Sequence, residues 1–288
     1  MNRVFIGFDC REPAGYEVAL RSLLAHTDPA QIRVQPVLAA HLRGAGLYWR
    51  PEEFRGGVRH DVISDAPMST EFALTRFLVP ALCDFEGWAV FCDCDFLFRA
   101  DINELFALRD ESKAVQVVQH RYAPLDATKM DNQPQAAYPR KNWSSLILWN
   151  CAHPAHKELD LHDINSVPGL KLHAFWWLAD CLIGALPERW NWLEGISPTT
   201  GQRKPAHWWD HKGHLYADHQ ACFKCGESEV TGEPGGTCPS DPKAVHFTTG
   251  TPDMPGHENS AFADEWRGHL TNFRKGLIYL TPPMESTG

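Results

Sequence analysis

Apolar residues along the chain recur in short runs of strand type, separated by stretches with the spacing of an amphipathic helix. The strand-type runs cover residues 3–8, 31–38, 88–92, 114–119, 145–149 and 244–247. Apolar positions at helical spacing predict helices over residues 16–25, 70–82, 159–167 and 261–276, whereas 41–57 reads as a loop with short helical pieces. Alternation of strands and helices is typical of the α/β class. We therefore expect a mixed central sheet flanked by helices.

The run over residues 88–92 ends in two aspartates, Asp93 and Asp95. A continuous apolar run indicates a strand buried on both faces, in the middle of an α/β sheet. Residues i and i+2 of an extended chain project to the same side, and ligands of such sheets gather at the carboxyl ends of strands. Two carboxylates at that edge favour Mg²⁺ or Mn²⁺, usually shared with a phosphorylated ligand.

A strand-to-helix turn is the alternative interpretation of this acidic stretch. Asp101 and Glu104 do resemble a helix start, with an aspartate as the N-cap and a glutamate three residues later. Capping does not account for Asp93 and Asp95, because unpaired charge is costly inside an apolar segment. We therefore prefer the metal site.

Charge and cysteine content narrow the classes of partner. The net charge is −9, which argues against nucleic acid or an anionic membrane as the partner. No apolar run approaches the ~20 residues that span a bilayer, and the first residues lack the apolar core of a signal peptide. Nine cysteines without a signal fit reduced thiols better than disulfides, so we expect a cytoplasmic protein without a transmembrane segment.

Several motifs then follow one another in a characteristic order. They are Val4–Asp9, Thr75-Arg-Phe77, Asp93-Cys-Asp95, the segment from Asn142 to Asn150, Leu186-Pro with Trp190-Asn191, and Val245-His-Phe247 with Gly250. Their order resembles the nucleotide-sugar glycosyltransferases of the Rossmann-like GT-A fold. The resemblance is strongest to glycosyltransferase family 8, in a bacterial and phage branch, and it runs from residue 3 to about residue 270.

The resemblance implies that Asp93, Asp95 and His246 bind Mn²⁺ (or Mg²⁺), which holds the diphosphate of the donor. Two carboxylates and an imidazole suit Mn²⁺, and the metal would neutralise charge on the departing nucleoside diphosphate. A histidine satisfied by backbone at a strand end is the alternative for His246. Beside the two aspartates, the ligand role is the better interpretation.

The same resemblance implies the residues that hold the donor. Asp9 and Arg11, at the end of the first strand, correspond to the region that binds the nucleoside, and Gly7 would permit close backbone approach. A simple loop aspartate explains Asp9 equally well. Arg76 corresponds to an arginine near the donor sugar, and apolar neighbours imply that it is partly buried and paired. Gly250 belongs to the late donor-binding motif.

The chemistry of transfer is expected to involve Asp93, Arg76 and one further side chain. Members of the family retain anomeric configuration and carry an Asp-Gln pair ahead of the Leu-Pro motif. Here Asp180 stands in that region without the glutamine, and we take it as the catalytic candidate. The family's late Lys-Pro-Trp is replaced by Thr251-Pro-Asp253, so no lysine reaches the diphosphate from there.

A cysteine cluster offers a second metal site. His219, Cys222, Cys225 and Cys238 have spacings that could hold a structural Zn²⁺, with the fourth ligand open among His219, His214 and water. A metal-free Cys-x2-Cys pair is the alternative. Such a zinc would staple a loop rather than catalyse.

We therefore expect one domain over residues 1–288, a hexosyltransferase that uses a UDP-sugar and a carbohydrate, lipid-linked or protein acceptor. Residues 1–120 would bind the nucleotide, and 121–288, with a Cys-rich loop at 214–240, would complete the metal and acceptor sites. One alternative is a phosphatase of the haloacid dehalogenase type. We discount it because its motif lies near the first strand and has Thr or Val where Leu97 stands here. A non-catalytic nucleotide- or sugar-binding protein and an interaction module built on the cysteines complete the alternatives.

Overall fold

A computed structural model describes residues 1–120, 142–195, 197 and 242–280, together with 128–129, 133–134 and 140. The strands are β1 (Asn2–Gly7), β2 (Ile32–Val37), β3 (Glu52–Arg55), β4 (Val58–Asp61), β5 (Ala66–Pro67), β6 (Trp88–Cys92), β7 (Phe96–Phe98), β8 (Val115–Val117), β9 (Thr128–Lys129), β10 (Gln133–Pro134), β11 (Leu146–Asn150), β12 (Ile183–Ala185), β13 (Trp192–Leu193) and β14 (Ala244–His246). The helices are α1 (Pro13–His26), α2 (Ala39–Gly44), α3 (Val79–Leu82), α4 (Ile102–Phe106), α5 (Leu161–Ser166), α6 (Gly169–His173) and α7 (Ala263–Leu280).

The central sheet has six strands in the order β12-β8-β11-β6-β1-β2. Strands β2, β1 and β6 run parallel, β11 is antiparallel to both β6 and β8, and β12 is parallel to β8. This is the mixed sheet that the alternating pattern predicted. Strand β6 is internal, so the aspartates that follow it leave from the middle of the sheet.

Strand β6 is apolar along its whole length because both faces of the sheet are covered. Ala89 and Phe91 lie in one apolar cluster with Trp149 and Phe77, whereas Val90 and Cys92 lie in another. Successive side chains of a strand alternate between faces, so each face receives its own set. The burial on both sides explains why the sequence shows a continuous run rather than an alternating one.

A smaller sheet, in the order β13-β14-β7, brings a late segment to the acidic pair. Strand β7 begins directly after Asp95, and β14 pairs with it antiparallel, so that His246 is opposite Phe96. The backbone N–H of Phe247 also donates to the carbonyl oxygen of Asp95, at 3.0 Å. This pairing fixes His246 beside Asp95 although about 150 residues separate them along the chain.

Two local predictions differ from the structure. Residues 70–82 do not form one helix: a 3-10 turn, Thr75–Leu78, precedes the short helix α3. Pro80 is the physical reason, because it lacks an N–H and is tolerated only in the first turn of a helix. Residues 41–57, predicted as a loop with short helical pieces, contain the end of the short helix α2, as expected, but also strand β3 of a three-stranded antiparallel sheet, β3-β4-β5.

Asp101 caps α4 as predicted, since its side chain accepts a hydrogen bond from the backbone N–H of Asn103. Within the described part of the chain, no helix combines the length and the apolar character needed to cross a membrane.

Candidate metal and donor site

Three side chains converge where β6 and β14 end. Asp93, Asp95 and His246 each contribute one ligand atom, and these atoms lie within 4.8 Å of one another. The imidazole Nε2 of His246 is 3.3 Å from Oδ2 of Asp95. The structure thus brings together the three residues that the sequence proposed as metal ligands.

Hydrogen bonds behind His246 fix which of its nitrogens faces the aspartates. Ser145 Oγ donates to the carbonyl oxygen of Asn142 at 2.7 Å, and it therefore accepts from Nδ2 of Asn191 at 2.8 Å. The amide oxygen of Asn191 then faces Nδ1 of His246 at 3.0 Å and accepts a hydrogen bond from it. In the neutral imidazole, the lone pair of Nε2 is consequently directed at Asp95.

This arrangement fits a divalent cation. A carboxylate oxygen and an unprotonated imidazole nitrogen are both acceptors, and at 3.3 Å they repel each other unless a cation or a proton lies between them. Two carboxylates and one imidazole form a donor set that suits Mn²⁺ or Mg²⁺, and a fixed tautomer of the histidine is typical of metal sites. Phe96 stacks on the imidazole, with ring centroids 4.6 Å apart, and holds its plane.

Arg76 orients Asp93 from the buried side of the cluster. Its Nη1 is 2.7 Å from Oδ1 of Asp93 and also donates to the carbonyl oxygen of Ser144 at 2.7 Å. Arg76 is only 4% exposed and lies over the rings of Phe72 and Phe91. The burial and the partner expected for this arginine are therefore present.

Asp9 and Arg11 form a pair beside the carboxyl end of β1. Asp9 is fully buried, and its carboxylate accepts hydrogen bonds from the backbone N–H groups of Arg11 and Glu71 and from the Arg11 guanidinium. Burial raises the pKa of Asp9, but these hydrogen bonds outweigh it and the pKa is lowered overall. Asp9 therefore orders the loop, whereas the side chain of Arg11 is 44% exposed.

The two candidate glycines are required by close packing against aromatic rings. A Cβ on Gly7 would lie 2.5 Å from the ring of Phe72. The close approach expected at this backbone is therefore made, in the structure, by Phe72. Gly250 has a φ of +153° in the turn after β14, and a Cβ there would meet the ring of His257 at 2.5 Å.

Asp180 is not brought to this cluster, contrary to its predicted place at the reacting centre. It precedes β12, which β8 and β11 separate from β6, a lateral distance of roughly 14 Å. Strand β12 also starts level with Ala89, near the beginning of β6, whereas Asp93 follows its end. The side chain is 89% exposed and pairs with Arg140. The position of Asp180 in the order of motifs gave no information about the end of the sheet at which this residue lies.

Glu12 is a buried carboxylate near the cluster for which the sequence predicted no role. Glu12 is 6% exposed, immediately before α1, and accepts a hydrogen bond from Sγ of Cys94 at 3.5 Å. Burial raises its pKa to about 8, with further contributions from the charges of Asp95 and Asp9. A charged residue directly before a proline-initiated helix at the end of the first strand was the available signal.

Two histidines near the cluster were also missed. His120 follows β8 and is 7% exposed. Burial lowers its pKa to about 3, His246 adds to the lowering, and Asn191 opposes it. His173 ends α6, and its Nδ1 is 2.7 Å from Oγ of Ser144. The rule that ligands gather at the carboxyl ends of strands, applied to β8 as it was to β6, would have singled out His120.

The proposed zinc ligands His219, Cys222, Cys225 and Cys238 lie outside the described residues, as does His214.

No protein-family model matches the chain. Among solved structures, the apo bifunctional glycosyltransferase WbbM has a TM-score of 0.53 at 13% identity, and the match covers 94% of this chain and 49% of WbbM. An active-site mutant of LgtC, a galactosyltransferase, has a TM-score of 0.52 at 15% identity, covering 94% of this chain and 96% of that one. These likenesses show that the fold is that of the GT-A glycosyltransferases.

A curated relative is more similar in sequence. Protein CDI of Arabidopsis thaliana is 37% identical over 273 residues, which cover 95% of this chain and 87% of that protein. The chain belongs to the family of this Arabidopsis protein.

Proposed function

We propose that the protein is a metal-dependent glycosyltransferase that moves a hexose from a nucleotide-sugar donor, UDP-linked, to a carbohydrate, lipid-linked or protein acceptor. The observation that carries the proposal is the convergence of Asp93, Asp95 and His246 within 4.8 Å, on a glycosyltransferase-like fold. The closer placement in glycosyltransferase family 8, in its bacterial and phage branch, is part of the same proposal.

Asp93, Asp95 and His246 would hold Mn²⁺ or Mg²⁺. The bound cation supplies Lewis-acid stabilisation of the negative charge on the nucleoside diphosphate leaving group. Asn191 places the proton of the neutral imidazole of His246 on Nδ1 and so directs the lone pair of Nε2 at the cluster. Arg76 holds the carboxylate of Asp93 in place and adds positive charge on the buried side.

The donor would lie across the carboxyl ends of β1 and β6. Arg11 is the better candidate for direct contact with an anionic nucleotide, because Asp9 already accepts four hydrogen bonds from the protein. Gly7 and Gly250 would shape the walls of this site through their close packing against Phe72 and His257.

Retention of anomeric configuration also belongs to the proposal. The placement of Asp180 gives it no support as the group that assists at the sugar carbon. NMR of the first-formed product tests retention directly, since a retaining enzyme yields the anomer of the donor.

Two parts of one domain over residues 1–288 would each contribute ligands to the metal site. Residues 1–120 supply the aspartates, and 121–288 supply His246 through the pairing of β14 with β7. A cytoplasmic location agrees with the nine cysteines, of which the six in the described residues are free thiols.

Donor hydrolysis tests the proposal and separates it from its alternatives. Purified protein is incubated with Mn²⁺ and each of a panel of UDP-sugars, and release of UDP is measured, with a chelator and Asp95→Asn as negative controls and Asp180→Ala as a matched surface control. Release from at least one donor, lost in both negative controls, supports the transferase. Hydrolysis of phosphomonoesters with Mg²⁺ instead would favour the phosphatase, and UDP binding without any turnover would favour a non-catalytic binding protein.

A further inference from the structure

His120 is a buried imidazole whose polar atoms lack hydrogen-bond partners. The residue is 7% exposed, and neither Nδ1 nor Nε2 has a hydrogen-bond partner in the described part of the chain. Buried polar side chains of native proteins are nearly always hydrogen-bonded, so a residue of this kind requires an explanation.

Two hydrogen bonds hold the backbone of His120 in place. Its N–H donates to the carbonyl oxygen of Val118 at 3.0 Å, and its own carbonyl oxygen accepts from Nε1 of Trp143 at 3.0 Å. Both bonds fix the main chain and leave the imidazole to other contacts.

The ring lies beside the metal and donor site. Trp143, whose Nε1 bonds the carbonyl oxygen of His120, adjoins Ser144, which accepts a hydrogen bond from Arg76 of the site. The candidate ligand His246 and its partner Asn191 also influence the pKa of His120. His120 is not one of the groups whose ligand atoms lie within 4.8 Å of one another, so the described geometry does not make it a fourth ligand. Asn191 also lies next to the ring, but its amide bonds Ser145 and His246, and neither nitrogen of His120 forms a hydrogen bond of ordinary geometry with it.

We infer that His120 hydrogen-bonds a hydroxyl group of the transferred sugar and so contributes to the choice of donor. This inference rests on the proposed function. A neutral imidazole offers one donor and one acceptor, and both are unsatisfied here. A phosphate oxygen could only accept, whereas a hydroxyl both donates and accepts, and neighbouring hydroxyls of a sugar can satisfy both nitrogens. A site built to bond a substrate hydroxyl discriminates strongly against analogues that lack it.

Calorimetric titration with Mn²⁺ present separates the sugar from the rest of the donor. UDP, UDP-glucose and UDP-galactose are titrated into the wild type, His120→Leu and His120→Gln. We expect His120→Leu to bind UDP within about twofold of the wild type, but to bind the preferred UDP-sugar about tenfold more weakly, the loss of one hydrogen bond. His120→Gln keeps a donor and an acceptor and should restore part of the loss.

His156 provides a matched control. It is also buried, but its Nε2 contacts the carbonyl oxygen of Ala114, before the start of β8. His156→Leu removes a buried imidazole of the same size and should leave the ratio of UDP-sugar to UDP affinity unchanged, whatever it does to stability.

Three results would overturn the inference while leaving the proposed function intact. The first is an equal loss of affinity for UDP and UDP-sugar in His120→Leu, as for a structural or water-bridged histidine. The second is no loss of affinity for either ligand. The third is a wild type that binds the UDP-sugar no more tightly than UDP. Failure of the wild type to bind UDP or another nucleoside diphosphate with Mn²⁺ would instead refute the proposed function. If His120→Leu does not fold, monodeoxy UDP-sugars titrated into the wild type and His120→Gln supply the same test, because one analogue should remove the difference between the two proteins.

Discussion

Two Arg–Asp pairs in this protein show how a structural ion pair differs from one in a candidate functional site. Asp61 ends β4 and pairs with Arg50, whose guanidinium is fully buried and forms two bonds of 2.6 and 2.7 Å to the carboxylate. Arg50 also donates to the carbonyl oxygen of Ile164, and Asp61 accepts from the backbone of Ser64. Each charge is matched within its own surroundings.

The pair of Arg76 and Asp93 is equally short, at 2.7 Å, but it is not self-contained. The side chain of Asp93 is 16% exposed, and its carboxylate is also part of the cluster with Asp95 and His246. Negative charge is therefore concentrated around Asp93, whereas around Asp61 it is balanced.

The pKa values of Asp61 and Glu12, one carboxyl group from each region, shift in opposite directions. Burial raises the pKa of Asp61, but hydrogen bonds from Arg50 and Ser64 outweigh it, and the pKa is lowered overall. Near the cluster, burial and the charges of Asp95 and Asp9 raise the pKa of Glu12 to about 8. A local excess of carboxylates over cationic side chains is what a cation-binding site requires.

The largest effect is expected where the cluster itself is changed. Asp93→Asn removes one ligand charge while keeping the shape of the side chain, and we expect Mn²⁺-dependent release of UDP from the donor to fall by about a thousandfold. Circular dichroism should show a folded protein. Activity within tenfold of the wild type would contradict the ligand role of Asp93.

Breaking the balanced pair should affect stability instead. Asp61→Ala leaves the buried guanidinium of Arg50 without its carboxylate, and we expect the free energy of unfolding to fall by about 3–5 kcal/mol. Denaturant titration measures this change. In the folded fraction, affinity for UDP with Mn²⁺ should be preserved, and a loss of affinity larger than tenfold would mean that the two regions are coupled.

Removing the group that orients His246 should weaken the metal site without removing a ligand. Asn191→Leu deletes the acceptor for Nδ1, and we expect the affinity for Mn²⁺ to fall about 10- to 100-fold, as is usual for residues behind a metal ligand. Direct Mn²⁺ titration followed by electron paramagnetic resonance gives the affinity. An unchanged value would show that Phe96 and the backbone suffice to orient the imidazole.

The raised pKa of Glu12 predicts a pH dependence of stability. Between its ordinary value of 4.5 and about 8, folded Glu12 keeps a proton that the unfolded chain releases, so unfolding becomes easier as the pH rises through this window. Chelator-treated wild type should therefore lose stability relative to Glu12→Gln over this window, by roughly 2–4 kcal/mol. Mn²⁺ should reduce the difference, because a nearby cation favours the ionised carboxylate. A constant difference with pH would contradict the shift.

The smallest effect is expected at Asp180. Its side chain is 89% exposed and lies away from the cluster, so Asp180→Ala should change donor hydrolysis by less than about twofold. A loss comparable to that of Asp93→Asn would show that the motif order was the better guide to its role.

The sequence was most informative for strands that consist of one continuous apolar run. Strands β1, β6, β11 and β14 were predicted because each is covered on both faces, and Asp93 and Asp95 followed from the end of β6. The resemblance added His246, which no local pattern connects to the aspartates, because the contact depends on the pairing of β14 with β7.

The remaining features depend on tertiary contacts that no local pattern encodes. Pro80 was the local indication against one helix over residues 70–82, and it was outweighed by the apolar spacing. The position of Asp180 depends on the place of β12 at the sheet edge. Asn191 was visible as part of a motif. Its role in orienting His246 depends on its hydrogen bond to Ser145, which only the fold brings close to it.

We propose that Asp93, Asp95 and His246 form a cation site that binds the nucleotide part of a donor. Calorimetric titration of UDP with and without Mn²⁺, into the wild type and Asp95→Ala, is the sharpest test of this site. We expect UDP to bind the wild type only with Mn²⁺ and to bind Asp95→Ala at least a hundredfold more weakly. Equal binding with and without the metal, or unchanged binding by Asp95→Ala, would contradict it.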